Sequence, residues 1–166
     1  MLHIREAVLD DLPAMLEIYN EAVRTLTATF DLEEQTLAER KQWFEKFGER
    51  YPLIAAEYNG EVVGYSSLSK FREKPAYSQS TELSIYISSK HRGLGIGSAL
   101  MTEILQHAKE LGYHTVIAGI TAGNEGSVKL HEKFGFEYMG RFKEVGFKFG
   151  AWQDVLNYQY MITESK

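Results

Sequence analysis

No cysteine occurs among the 166 residues of this chain. That absence excludes a disulfide scaffold, a thiolate metal site and a covalent intermediate on a cysteine sulfur. Only three prolines are present, and no Pro-rich linker, low-complexity tract or internal repeat divides the chain, so a single domain over residues 1–166 is expected. Apolar runs are all too short to span a bilayer, and Met1-Leu2-His3-Ile4-Arg5-Glu6 lacks the apolar core of a signal peptide. The expectations are therefore no membrane partner and a cytoplasmic location. Positive charge is scarce too: 18 Lys and Arg stand against 23 Asp and Glu, a net charge of -5, which speaks against a nucleic-acid partner. The histidines show no ligand spacing, so no metal is expected. What remains, 44% hydrophobic and 25% charged, is an ordinary globular balance that favours small-molecule or protein partners.

Against that background one stretch stands out, Ile85-Tyr86-Ile87-Ser88-Ser89-Lys90-His91-Arg92-Gly93-Leu94-Gly95-Ile96-Gly97-Ser98. It reads as a strand, a glycine turn and a helix start. Such a turn exposes backbone N–H groups to a ligand, and the helix that follows points unsatisfied amides and the positive end of its dipole at the same place. An anion is the natural guest, and Arg92 adds a charged fork suited to phosphate. The spacing Gly93-x-Gly95-x-Gly97 does not meet the dinucleotide fingerprint G-x-G-x-x-G, and no lysine precedes Ser98 as a nucleotide P-loop requires. A pyrophosphate cradle of another type is the reading.

Leu2 to Glu6 can form a strand, followed by a helix with Asp10 as N-cap and Pro13 in its first turn. Thr36 and Glu39 make a capping box for a second helix that carries Trp43, Phe44 and Phe47. Asn59-Gly60 between Leu53–Tyr58 and Glu61–Leu68 signals a hairpin. A polar loop then carries Arg72, Lys74 and Tyr77. From Thr81 to Ile87 the pattern alternates, with Glu82, Ser84 and Tyr86 on one face and Leu83, Ile85 and Ile87 on the other. A helix to Leu111, a strand over Thr115 to Ile120, and a helix capped by Asn124 and stopping at Gly135 imply a parallel crossover. Two last strands, Phe136 to Phe142 and Ala151 to Met161, are expected to join through Gly146 and Gly150. Trp43, Phe44 and Trp152 are expected in the core.

This order of elements, with Arg92-x-x-Gly95-x-Gly97, resembles the GNAT superfamily of acetyl-CoA-dependent N-acetyltransferases, and the likeness extends over nearly the whole chain. Asn124-x-x-Ser127-x-x-Leu130-His131-Glu132-Lys133-Phe134-Gly135-Phe136 resembles the superfamily's second acetyl-CoA segment. Thr27-Ala28-Thr29-Phe30, Ala76-Tyr77 and the region from Gly140 through Gly146-Phe147-Lys148-Phe149-Gly150 to Val155 are similar to the phosphinothricin acetyltransferase family. The resemblance implies an α/β (α+β) fold with a mixed, mostly antiparallel sheet of about seven strands and about four helices on both faces. It makes the backbone of Ile85, Tyr86 and Ile87 a rail for the pantetheine arm, and Arg92, Gly93, Leu94, Gly95, Ile96, Gly97 and Ser98 the pyrophosphate site. Asn124, Ser127 and Lys133 would complete the cofactor contacts. Glu82 falls where the family's general base lies, and His131 where many relatives have tyrosine.

Chemistry agrees with these residue types. A protonated amine cannot attack a thioester, and a partly buried carboxylate such as Glu82 can take its proton directly or through water. His131 suits protonation of the departing thiolate. Phe30, Arg72, Lys74 and Tyr77 are expected to bind an anionic amino-acid analogue such as phosphinothricin, methionine sulfoximine or methionine sulfone, and relatives of this kind are commonly homodimers. Lys74 and Phe149 replace an arginine and a histidine of the herbicide-inactivating members, a departure on the acceptor side. Two alternatives stay open, a protein or peptide N-acetyltransferase and a non-catalytic acetyl-CoA sensor.

Overall fold

Alternating side chains on the strands divide the apolar residues between two faces of one sheet, and that division sets the architecture. The computed structural model describes residues 1–162. Its strands are β1 (Leu2–Glu6), β2 (Leu53–Tyr58), β3 (Glu61–Lys70), β4 (Ser80–Ile87), β5 (Thr115–Thr121), β6 (Glu137–Lys148) and β7 (Ala151–Met161). Its helices are α1 (Leu12–Thr25), α2 (Leu37–Phe44), α3 (Ile96–Glu110) and α4 (Glu125–Lys133). The strands form one seven-stranded sheet in the order β1-β2-β3-β4-β5-β7-β6. Every pairing is antiparallel except β4 with β5.

Neighbouring residues of β2 show the division. Ile54 and Ala56 join Leu83, Val116 and Ala118 in a core covered by Leu100, Met101 and Ile104 of α3. Leu53 and Ala55 point the other way, where Leu12, Met15 and Ile18 of α1 pack on them with Trp43 and Phe44 of α2. Ile104 is fully buried, so truncation to alanine would cost about 2–5 kcal/mol. The capping box at Thr36 closes as expected: Glu39 N–H donates to Thr36 Oγ1, and Thr36 N–H donates to Glu39 Oε1. Asn59 and Gly60 both take positive φ, as a two-residue hairpin turn demands.

Several expectations need correction. Asp10 does not cap α1, because residues Leu9–Asp11 wind into a 3-10 turn that moves the helix start to Leu12. Asp11 is buried instead, receiving bidentate hydrogen bonds from Arg5 and one from Val8 N–H. β6 runs on to Lys148 through register shifts near Gly140 and between Phe142 and Gly146, and the turn is Phe149-Gly150 alone. Trp152 is not core: it is 61% exposed, stacked edge-on against Phe147 on the β6–β7 hairpin.

Candidate active site

The parallel pairing of β4 and β5 is short, and its end opens the site. Register partners run only through Ser80–Thr115, Thr81–Val116 and Glu82–Ile117. Beyond Glu82 the strands part, although β4 stays paired to β3 and β5 to β7 along their lengths. The facing edges of Leu83–Ile87 and Ala118–Thr121 therefore form a wedge with ladder groups available to a guest. A small pocket of about 80 Å³ occupies it, walled by Ser84, Tyr86, Gly119, Thr121 and His131. It shares Ala28, Ile85, Tyr86, Asn124 and Ser127 with a larger cavity of about 700 Å³.

The larger cavity contains the glycine turn. Ser89–His91 make a 3-10 turn, Arg92 is extended, and Gly93 and Gly95 both stand at φ 78°. Neither has any atom within 4 Å of where a Cβ would be, so these glycines serve backbone conformation and leave room for a ligand. Gly95 is the N-cap of α3 and offers no side chain to the first-turn amides. Gly97 differs. A Cβ there would meet Leu130 at 3.1 Å and Ile87 at 3.3 Å, so this glycine lets α3 lie close to α4 and β4.

Ile85, Tyr86, Ile87, Arg92, Gly93, Gly95, Ile96, Gly97, Ser98, Asn124 and Ser127 all line the cavity. Leu94 projects outward at 46% exposure. Lys133 stands outside the wall but reaches it, its Nζ donating to Ser98 Oγ at 2.9 Å. Asn124 caps α4 by accepting from Ser127 N–H. Glu21 of α1 ties the turn down from across the cleft, accepting from both Ser89 N–H and Ser89 Oγ. Nothing local in the sequence marks Glu21; its partner lies 68 residues away. His91 also lines the cavity.

Glu82 stands at the last β4–β5 register pair, below the wedge and outside the walls of both cavities; it is half-buried, and desolvation pushes its carboxyl above the usual range while Arg72 pulls it back. His131 is buried, and its Nδ1 lies 2.7 Å from the Ser127 carbonyl. A carbonyl only accepts, so Nδ1 carries the proton. Burial lowers the basicity of the ring, with the Ser127 carbonyl opposing, and the imidazole rests neutral with Nε2 as an acceptor.

The acceptor residues are less tightly drawn together. Arg72 is felt by Glu82 and stacks on Phe71, Tyr77 packs edge-on against the same ring, and Lys74 caps the 3-10 turn Pro75–Tyr77. All of Arg72, Lys74 and Tyr77 are exposed. They and Phe30 lie outside the walls of both cavities. Among the described residues no cluster could hold a metal ion, and no helix is long and apolar enough to cross a membrane.

The Acetyltransferase (GNAT) family model matches residues 13–136. The chain belongs to this family. A curated relative, the L-methionine sulfoximine/L-methionine sulfone acetyltransferase of Pseudomonas aeruginosa, is 38% identical over 92% of this chain and 90% of its own length. Among solved structures, a ribosomal-protein-alanine N-acetyltransferase from Brucella melitensis is 43% identical with a TM-score of 0.94, covering 96% of this chain and 99% of that one. A GNAT phosphinothricin acetyltransferase from Sinorhizobium meliloti, solved in complex with AcCoA, is 37% identical at TM-score 0.94, covering 97% and 88%. The mixed seven-stranded sheet with four helices is the architecture that these GNAT structures share.

Proposed function

We propose that this chain is a single-domain, cytoplasmic acetyl-CoA-dependent N-acetyltransferase. Its acceptor is the α-amino group of a small amino acid or analogue of the methionine sulfoximine, methionine sulfone or phosphinothricin kind. One observation carries the reading: the anion cradle at Arg92–Ser98 and the wedge below which Glu82 sits share walls. The cradle suits a pyrophosphate, since Gly93 and Gly95 leave open space at the amides of an uncapped helix start and Arg92 flanks them. The wedge suits an amide-bearing arm lying along Ile85, Tyr86 and Ile87, because the β4 edge there has no β5 partner. Asn124 and Ser127 border both spaces, and Lys133 stands over the cradle beside Ser98.

Acetyl-CoA, when bound, supplies an activated thioester, so the chain's own task is to manage protons. Glu82, raised by burial, takes one proton from the ammonium, directly or through water, and passes it to solvent. A second proton leaves the nitrogen as the amide bond forms and the carbon–sulfur bond breaks. Neutral His131 has Nε2 available to accept that proton and return it to the departing sulfur. Without a cysteine, the transfer is direct. Arg72, placed where it acts on Glu82, holds the acceptor's carboxylate or phosphinyl group, with Phe30, Lys74 and Tyr77 around it.

A homodimer belongs to the same proposal. Phe142, Val145, Phe147, Phe149 and Trp152 are each more than half exposed on the β6–β7 hairpin at the sheet's edge, an apolar surface that a second copy would cover. Light scattering should give twice the chain mass, and Trp152→Glu should halve it; a monomeric wild-type protein refutes the dimer.

The likeness to a ribosomal-protein-alanine N-acetyltransferase favours a second reading, acetylation of a peptide N-terminus. Thiol release with acetyl-CoA separates the two. Turnover with methionine sulfoximine or phosphinothricin supports the first reading, turnover with alanyl peptides alone supports the second, and acetyl-CoA binding without any turnover makes the chain a sensor.

A further inference from the structure

The segment 26–29, between α1 and the acceptor side, has no regular secondary structure, yet each of its carbonyls receives a hydrogen bond from a sheet side chain. Lys148 Nζ donates to Leu26 O at 2.7 Å and Thr29 O at 2.8 Å. Thr121 Oγ1 donates to Thr27 O at 2.7 Å, and Tyr86 OH to Ala28 O at 3.3 Å. Three strands thus hold one strap across the open end of the wedge. Leu26, Thr27 and Ala28 are also wall residues of the larger cavity, and Ala28 borders the small pocket as well.

Lys148 is the unusual member. Only 3% of it is exposed, its ammonium is met by backbone carbonyls, and its partners lie 119 to 126 residues away. A buried ammonium is costly unless hydrogen-bonded, and here three carbonyls surround it, Ala22 O at 3.5 Å being the third. Two residues earlier on β6, Gly146 faces Phe30. A Cβ added at Gly146 would stand 2.5–2.9 Å from three carbons of the Phe30 ring, so the missing side chain is what seats that ring.

We infer that Lys148 and Gly146 are positioning residues for the acceptor site: the tip of the β6–β7 hairpin fixes where the Leu26–Phe30 strap lies and hence the geometry in which the amine meets the thioester. The inference rests on the transferase reading above. Misplacement of a reacting group by about 1 Å can cost about a hundredfold in rate, so a strap released from Lys148 acts chiefly on turnover, while the backbone of Arg92–Ser98 on the facing wall keeps its own anchor at Glu21.

The test uses full-length Lys148→Met and Gly146→Ala beside wild type, assayed with methionine sulfoximine below their melting temperatures. The expected result is a rise of about tenfold or more in the acceptor KM, with a fall in kcat, in both variants, while the calorimetric Kd for acetyl-CoA stays within about threefold. Hydrogen exchange of the peptide over residues 22–31 is read in parallel and should accelerate in Lys148→Met. Lowered melting temperature with unchanged acceptor kinetics and exchange overturns the inference. If wild type turns over no amine at all, the transferase reading fails, while the exchange result still decides whether Lys148 holds the strap.

Discussion

On one rim of the cleft, Arg92 to Ser98 offer backbone amides at a helix start, with Gly93 and Gly95 at positive φ and the loop anchored by Glu21. On the proposed acceptor rim, outside the walls of both cavities, Arg72, Lys74 and Tyr77 offer exposed side chains on a loop and a 3-10 turn. In the proposed reading the first rim recognises its guest by geometry that a few consecutive residues dictate. The second, in the same reading, would recognise its guest by side-chain chemistry at the end of mobile torsions, so small replacements there would retune the acceptor while the fold and the cradle stay the same. Lys74 is a side chain of that kind, whereas Phe149 lines the larger cavity.

If the two rims work separately, damage to each must show in a different constant. Glu82→Gln carries the largest expected effect: kcat should drop by about 10²- to 10⁴-fold with acetyl-CoA affinity retained, as stopped assays and calorimetry on one preparation would reveal. The same substitution should raise the melting temperature at neutral pH. A carboxyl whose folded pKa is raised favours the folded state when protonated, and that contribution is lost as pH climbs through the raised value. Next comes Arg92→Ala, which should weaken acetyl-CoA binding about tenfold to a hundredfold, since a charge-assisted hydrogen bond contributes about 1.5–3 kcal/mol. Added salt should weaken wild type more than the variant; equal salt dependence would place Arg92 outside the site.

Arg72→Ala is a smaller and more diagnostic change. The acceptor KM should rise up to about tenfold with the acetyl-CoA Kd unaltered. Because Arg72 pulls the Glu82 carboxyl down, its loss should also move the acidic limb of kcat/KM to higher pH. A limb that stays put separates Arg72 from the base. Asp11→Asn should leave both rims' constants alone and cost about 1.5–3 kcal/mol of stability through the Arg5 pair. Arg5 holds Asp11 below the ordinary carboxylate range, so wild type keeps this contribution above about pH 4 and loses it as pH falls through the lowered value. The gap between the two melting curves should therefore close in acid.

The contrast between rims also explains what was readable in the sequence. Asn59-Gly60, the Thr36–Glu39 box and the turn from Arg92 to Gly95 are local, and each appears in the structure as its residues imply. The alternation from Glu82 to Ile87 sends Leu83, Ile85 and Ile87 to one core and Tyr86 to the other. What escaped depends on partners far along the chain. Lys148 reads as one more charged strand residue until its contacts with Leu26 and Thr29 are seen, and Glu21 as one more solvated helix residue until Ser89 arrives. Trp152 escaped for the opposite reason: composition places tryptophan inside, while the hairpin's position at the sheet edge leaves it outside. Spacing groups Gly97 with its glycine neighbours; it lines the same cavity and also lets α3 pack close to α4 and β4, which spacing does not show.

Central to this account is direct transfer of acetyl from acetyl-CoA to an α-amino group within the cleft that Glu82 serves. Mass spectrometry of both acceptor and protein, after mixing with acetyl-CoA and methionine sulfoximine, tests it most directly. N-acetylated acceptor equimolar with released CoA, on an unmodified protein, is the predicted result. An acetylated side chain that chases into product, or an acceptor left unmodified while acetyl-CoA binds, would contradict it.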